Sequence, residues 1–281
     1  MIKTIGICDH WSQRVPSTTR ARRTGDRRRT ILDQLAAAGR ATVTELSQQL
    51  SVSEVSVRRE LEQLEQMGLL RRVRGGAEAV GRPGQATIFE ARRLQRVGRK
   101  AAIGQAAAAL IRPGESIMLD SGSTVLEVAR HIPQPLLDTG GLTVITRSLV
   151  IASELRRQRQ ARLIVLGGIY LHDFDDFVGP AVEAALADIQ ASTLFIGTDG
   201  VSAERGLTTD NLLEAALYRN MARAARRVVV VTDASKIGLD KLRTTLTFDD
   251  IHTFITDASA PADFVAMLRG RGIEVILAAD D

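Results

Sequence analysis

The sequence predicts an α/β protein in two parts: a small N-terminal unit of three helices and a β-hairpin, then a larger domain on a mainly parallel sheet. Three observations carry this. From Ser116 onward, short apolar strands alternate with amphipathic or Ala-rich helical stretches, the pattern of a sheet covered on both faces. Between residues 26 and 76 the apolar spacing is mostly helical and ends in a Gly-bearing basic turn. Charge divides the chain in the same way: residues 1–100 hold 20 Lys/Arg against 10 Asp/Glu, and the remaining 181 hold 17 against 23. A basic third on an acidic body is the layout of a polyanion-binding module joined to a body that does not bind polyanions.

The chain of 281 residues, 44% hydrophobic, is long enough for two domains. No apolar run approaches the roughly 18 residues of a membrane span, and Met1–Cys8 is too short and too weakly apolar for a signal peptide. Cys8 is the sole cysteine, which excludes an intramolecular disulfide. The expectation is a cytoplasmic protein with no membrane partner. Residues 1–25 show no periodicity and read as a flexible leader; Cys8-Asp9-His10 lacks a second ligand group, so no metal and no cofactor is expected. Residues 26–76 form the first domain, the Gly/Pro-bearing residues 77–87 a linker, and residues 88–281 the body. Ile88–Ile111 reads as one long helix or two, Arg-rich and then Ala-rich.

Within the first domain, Arg28–Ala38 places Ile31, Leu32 and Leu35 on one side, and Gly39 ends the helix. Thr42-Val43-Thr44-Glu45 is a capping box for a second helix striped by Val43, Leu46 and Leu50. After the turn at Ser51-Val52, Ser53 caps a third helix, Glu54–Met67. Two compact helices joined by so short a turn have the spacing of a helix-turn-helix. On the third helix Val57, Leu61 and Leu64 face the core, Val55, Ser56, Arg59 and Gln63 face outward, and Arg58 lies on the flank. That division suits a recognition helix, whose outward N-terminal residues reach base edges while flanking cations grip phosphates. Arg71-Arg72-Val73-Arg74-Gly75-Gly76 reads as a basic wing. The candidate DNA-binding residues are Ser53, Val55, Ser56, Arg58, Arg59, Arg71, Arg72 and Arg74.

In the body the candidate strands are Ser116–Asp120, Thr143–Arg147, Arg162–Leu166, Thr193–Thr198, Val228–Asp233, Thr253–Asp257 and Glu274–Leu277. Asp120-Ser121-Gly122-Ser123-Thr124 follows the first strand and opens a helix, where free backbone N–H groups hold anions. Other strand ends carry Arg147-Ser148, Gly167-Gly168, Asp199-Gly200 and Lys236. Ligands of open α/β sheets sit at strand C-termini. Together these groups offer phosphate donors (Ser121 to Thr124, Lys236), a hydroxyl acceptor (Asp199) and room for close backbone approach.

The run Leu46-Ser47, Leu50-Ser51-Val52-Ser53, Val57-Arg58-Arg59-Glu60-Leu61 and Gly68 through Ala77 resembles the DNA-binding signature of DeoR-type repressors. The likeness continues to about Leu277. Gly206-Leu207-Thr208-Thr209, Glu214-Ala215, Arg219, Met221 and Thr232 through Lys236 resemble that family's effector domain, with a lean to members regulating amino-sugar or hexitol catabolism. The resemblance implies a body similar in fold to ribose-5-phosphate isomerase that binds phosphorylated sugars or amino sugars, and it adds Glu214 to the effector residues. It implies repression of a carbohydrate catabolic operon from double-stranded operator DNA. A homo-oligomer, dimer or tetramer, suits paired half-sites. Arg147 stands where the family commonly has Asn, and either adds an anion contact or points away; Ile237 replaces a usual Phe as a packing change.

An isomerase with an appended DNA-binding domain is the competing reading. Such an enzyme needs a general base beside the sugar carbons. Alignment through Asp233–Lys236 places Tyr218 near that position, with Glu214 one turn earlier, so binding without turnover is expected. A purely structural DNA-bridging protein would leave the strand-end groups without purpose.

Overall fold

The computed structural model describes residues 27–28, 30–35, 38–66, 70–79 and 87–279. The chain divides into two compact units, residues 1–86 and 87–281. The leader 1–25, including Cys8 and His10, lies outside the described residues, as do the third helix's end at 67–69 and the linker residues 80–86.

In the first unit, helix α1 (residues 30–35) buries Ile31 and Leu35. Strand β1 (Arg40–Thr42) leads into α2 (Val43–Leu50) through the predicted capping box, in which the Glu45 N–H donates to Thr42 Oγ1 at 3.2 Å and the Thr42 N–H to Glu45 Oε2 at 2.8 Å. Ser51, with φ 52°, closes α2 in the left-handed region, and the turn delivers α3 (Glu54–Gln66). Val57, Leu61 and Leu64 meet Leu46 and Ile31 in one core. Strands β2 (Leu70–Val73) and β3 (Gly76–Ala79) form an antiparallel hairpin, and β3 also pairs with β1. Residues 77–79 are therefore strand, not linker: Ala77 is fully buried in the module's core, a role that composition did not reveal. The wing's two glycines do different jobs. Gly75 takes φ +82° at the hairpin tip, whereas a Cβ on Gly76 would lie 2.2 Å from the Ala41 carbonyl oxygen of β1.

The second unit opens with two helices rather than one, α4 (Ile88–Arg93) and α5 (Val97–Ala108). The break is at Arg96, whose φ of 52° no continuous right-handed helix allows. All seven strands read from the sequence enter one sheet: β4 (Ser116–Leu119), β5 (Thr143–Thr146), β6 (Arg162–Val165), β9 (Ala191–Ile196), β12 (Ala225–Val231), β14 (Thr253–Asp257) and β15 (Glu274–Ala278). Its order is β15-β14-β12-β9-β4-β5-β6, and every neighbouring pair is parallel. Side chains alternate as a pleat requires: Met118, Leu194 and Val230 enter one core layer, and Ile117, Leu119, Phe195 and Val231 the other. Helices α5, α6 (Ser123–Arg130) and α8 (Leu149–Leu155) cover the second face. Helices α9 (Pro180–Ala187), α10 (Leu212–Arg223) and α11 (Ala262–Gly270) cover the first.

The sequence did not announce α7 (Gln134–Asp138), the hairpin β7 (Ile169–Leu171) with β8 (Asp176–Val178), or the small sheet of β10 (Gly200–Ser202), β11 (Gly206–Thr209) and β13 (Arg243–Thr244). These elements sit in the connections between sheet strands. The strand order matters for function. From β4 the chain moves to β5 and β6, then returns to β9 on the other side of β4. Connections thus leave β4 and β9 in opposite directions, which opens a crevice at their C-terminal ends.

Candidate functional site

On the first unit, α3 presents Val55, Ser56, Arg58 and Arg59 to solvent, with Val55 74% exposed. Ser53 accepts the Ser56 N–H at 3.3 Å and so caps the helix as well as facing outward. Arg58 pairs with Glu54 one turn back at 2.9 Å, with both groups near half exposed. Gln63, expected outward, is half-buried and accepts from Arg28, because Arg28 and Arg27 already fold over buried Glu60 beside it. On the wing, Arg71 pairs with Glu78 directly across the hairpin, Arg72 donates its backbone N–H to Glu65 at 2.8 Å, and Arg74 stands at the exposed tip. The unit thus carries Arg59, Arg72 and Arg74 with no acidic side chain described against their guanidinium groups, Arg58 in an exposed pair that exchanges easily, and Arg71 in a pair whose Glu78 side is largely buried.

In the body, an open cleft of about 720 Å³, mouth included, lies at the β4/β9 switch point. The loop after β4 supplies Ser121, Gly122, Ser123 and Thr124; Gly122 takes φ 116° and leaves the first turn of α6 without a side-chain cap. The N–H groups of that turn therefore face the cleft at the positive end of the helix. From the end of β9 come Thr198 and Asp199, and from the end of β12 come Asp233 and Lys236. Asp257 fixes the Lys236 turn, accepting the Ala234 N–H at 2.7 Å.

Sequence reasoning missed the opposite wall. Phe89, Arg92 and Gln95 from the α4 segment, Arg96 and Lys100 from α5, and Phe174 close the cleft. Arg92 pairs with Asp199 at 2.7 Å and lies 5.9 Å over the Phe174 ring. Lys100 is buried and donates to the Arg92 carbonyl. Burial, then the neighbouring cations Lys236, Arg96 and Arg92, bring its pKa down to about 8 against an opposing pull from Asp233. Burial and Arg92 likewise lower that of Lys236. Four cations face Asp199, Asp233 and Glu214, the last partly protonated by burial, so positive charge is in excess around the cleft. A four-residue recurrence at Arg92, Arg96 and Lys100 was a signal available in the sequence.

Beneath the cleft lies a buried ionic cluster. Arg147 is fully buried and lines no part of the cleft. It donates to Asp120 through Nε at 2.7 Å and to Ser121 Oγ at 2.8 Å, and it pairs with Asp176 at 2.7 Å and Glu214 at 3.3 Å. Its guanidinium also sits 5.7 Å from the centre of the Tyr218 ring. Arg147 and Asp120 thus support the site from below and do not contact the space, a correction to the anion contact entertained above. Three carboxyls around one guanidinium are too many to ionise together. Burial raises Asp120 and Asp176 above the usual carboxylate range, and it takes Glu214 to about 7 despite Arg147. Glu214 does reach the cleft wall. Thr209 Oγ1 lies 3.5 Å from it and donates its proton to Asp199 Oδ2 at 2.9 Å, while Arg92 engages Asp199 Oδ1, so each Asp199 oxygen already has one partner.

Four further candidates stand apart from the cleft lining. Ser148 is buried as the cap of α8, accepting the Ile151 N–H at 3.3 Å. Gly168 and Gly200 serve backbone packing: a Cβ would come within 2.5 Å of the Val178 carbonyl oxygen in one case and 2.4 Å of that of Leu239 in the other. Gly167 lines no part of the cleft.

Comparison with known proteins agrees on both units. The family profile described as DeoR-like helix-turn-helix domain matches residues 27–82, and that described as DeoR C terminal sensor domain matches residues 95–258. A relative from Escherichia coli O157:H7 that carries the name of an aga operon transcriptional repressor is 33% identical, over 90% of this chain and 94% of its own. The transcriptional repressor AccR of Agrobacterium fabrum is 32% identical over 84% of this chain and 90% of its own. A solved ribose 5-phosphate isomerase A from Methanocaldococcus jannaschii is 18% identical, covering 49% of this chain and 53% of that one at a TM-score of 0.36. The chain belongs to the DeoR family of DNA-binding transcriptional regulators.

Proposed function

We propose that this regulator represses a carbohydrate catabolic operon and loosens or alters its hold on operator DNA when a phosphorylated sugar enters the cleft. The observation that carries the reading is the meeting of an uncapped helix N-terminus at Gly122–Thr124 with Arg92, Arg96, Lys100 and Lys236 around one opening. Such a wall suits a dianionic phosphate. Glu214 and the polar strand ends suit the hydroxyls of a sugar. The relative named as an aga operon transcriptional repressor supports the repressor half of the reading. The chain acts as a homo-oligomer in the cytoplasm, reading half-sites with α3 and gripping phosphates with the wing. No described helix is long and apolar enough to cross a membrane.

The isomerase alternative is disfavoured by Tyr218: it packs on Arg147, and burial holds its phenol well above the usual range, so it supplies no base at neutral pH. A thermal-shift screen against sugar phosphates, followed by operator titration with the best ligand, tests the reading. The phosphorylated sugar lowers operator affinity about 5- to 150-fold, and its unphosphorylated form has little effect. Ser123→Glu, which places a carboxylate at the α6 N-terminus, keeps DNA binding and loses the response; Lys236→Ala weakens the ligand. A full response in Ser123→Glu, or turnover of the ligand, rejects the assignment.

A further inference from the structure

Most walls of the cleft are fixed. The strand ends belong to the seven-stranded sheet, and α6 is buried along almost its whole length. The α4 wall is different. It is a helix of six residues, Ile88–Arg93, joined to α5 through a left-handed arginine. An arginine at φ 52° holds that conformation only while its surroundings enforce it. Polar ties made inside the cleft flank it: Arg92 to Asp199 at 2.7 Å, the Arg92 carbonyl to Lys100 Nζ, and Arg96 to Asp233 at 3.7 Å. Phe89 is the apolar anchor, buried with its N–H donated to the Asp173 carbonyl at 2.9 Å.

The groups that tie α4 down are the same groups an incoming anion would engage. We propose that α4 is a strap that senses occupancy: a ligand's anionic group exchanges the Arg92–Asp199 pair for an Arg92–ligand pair, and the helix re-seats about Phe89. The displaced Asp199 is then free to accept from a ligand hydroxyl, which links both halves of a sugar phosphate to one movement. Thr87, which caps α4 by accepting the Glu90 N–H at 3.1 Å, is the first residue of the body. Any shift of α4 therefore shifts the point at which the chain departs toward the DNA-binding unit. This rests on the effector reading of the cleft for its ligand, but not for its mechanics, since Asp199 can be altered without any ligand.

The test uses the full chain, an operator duplex selected by the wild type from random-sequence DNA, and amide hydrogen exchange over residues 88–96. Without ligand, Asp199→Asn releases Arg92: exchange in α4 rises at least tenfold and operator affinity falls at least fivefold. The reversed pair Arg92→Asp with Asp199→Arg restores both, yet no longer answers to glucose 6-phosphate or inorganic phosphate. Wild-type exchange and affinity in Asp199→Asn overturn the strap. If Asp199→Asn fails to fold, Arg92→Gln reads the same exchange from the other partner, with the same outcome required. A phosphate-bearing probe that binds the wild type and leaves α4 exchange unchanged also overturns the strap while sparing the site. Failure of every phosphate-bearing probe to bind, together with the Asp199→Asn effect, rejects the phosphate reading and upholds the strap.

Discussion

Arg147 donates to Asp120 through Nε at 2.7 Å, and neither side chain reaches solvent. The bond ties β5 to β4 just below the cleft, and Ser121, at its lip, hangs from the same guanidinium. Removing one partner of a buried pair leaves an uncompensated group that cannot rehydrate. Arg147→Ala should therefore cost about 3–5 kcal/mol, read as a lower denaturant midpoint for the body. An unchanged midpoint would show that the cluster relaxes by taking up protons.

Glu214 gives the protein a pH dependence of known sign. Its carboxyl titrates near 7 in the folded state, raised from an ordinary value of 4.5 chiefly by burial. The folded state thus holds this proton more tightly than the unfolded chain, and the associated stability is complete below about pH 4.5. It is lost as pH rises toward and through 7, by about 3 kcal/mol at most. Glu214→Gln should flatten the stability profile between pH 5 and 8. Denaturation at several pH values checks this; a profile parallel to wild type would assign the slope to another group.

The two neighbouring arginines of α3 should separate experimentally. Arg59→Ala relaxes base preference at one position per half-site, costing about 1–3 kcal/mol there. Arg58→Ala weakens all sequences alike and reduces the salt slope by about 1. The Arg58–Glu54 pair adds a sharper expectation: Glu54→Gln frees Arg58 and should tighten non-specific binding. Titrations on selected and random DNA across salt concentrations distinguish the three variants, and equal effects of both arginines everywhere would refute the division.

Gly76→Ala should be more damaging than Gly75→Ala. The former drives a methyl into the Ala41 carbonyl of β1, a backbone contact with no side chain to yield, and costs about 1–3 kcal/mol or more. The latter meets open space and bears only the left-handed strain of about 1–2 kcal/mol. DNA affinity and thermal melting of the two variants provide the comparison.

Much of this architecture was legible because its signals are local. The capping box at Thr42–Glu45, the apolar stripe of α3 and the seven strands each rest on periodicity within a few residues. The strand-end loop Ser121–Thr124 was legible for the same reason. Arg147 was not: whether a cation at a strand end faces ligand or core depends on Asp176 and Glu214, 29 and 67 residues away. Gly168 and Gly200 looked like ligand approach because a glycine reports close contact without naming the neighbour. The α4 wall escaped because its arginines sit next to the linker in sequence and opposite β9 in space.

The crowding of Arg92, Arg96, Lys100 and Lys236 also makes the cleft a small ion exchanger. If the cleft takes an anionic effector as proposed, a buffer anion competes for the same charges by mass action. Apparent effector affinity should then fall by the factor by which phosphate or sulfate already fills the site. On the proposed anion reading, a melting temperature measured in phosphate should exceed one measured in chloride at equal ionic strength. On that reading, the resting state of this regulator depends on the salt around it as well as on its sequence.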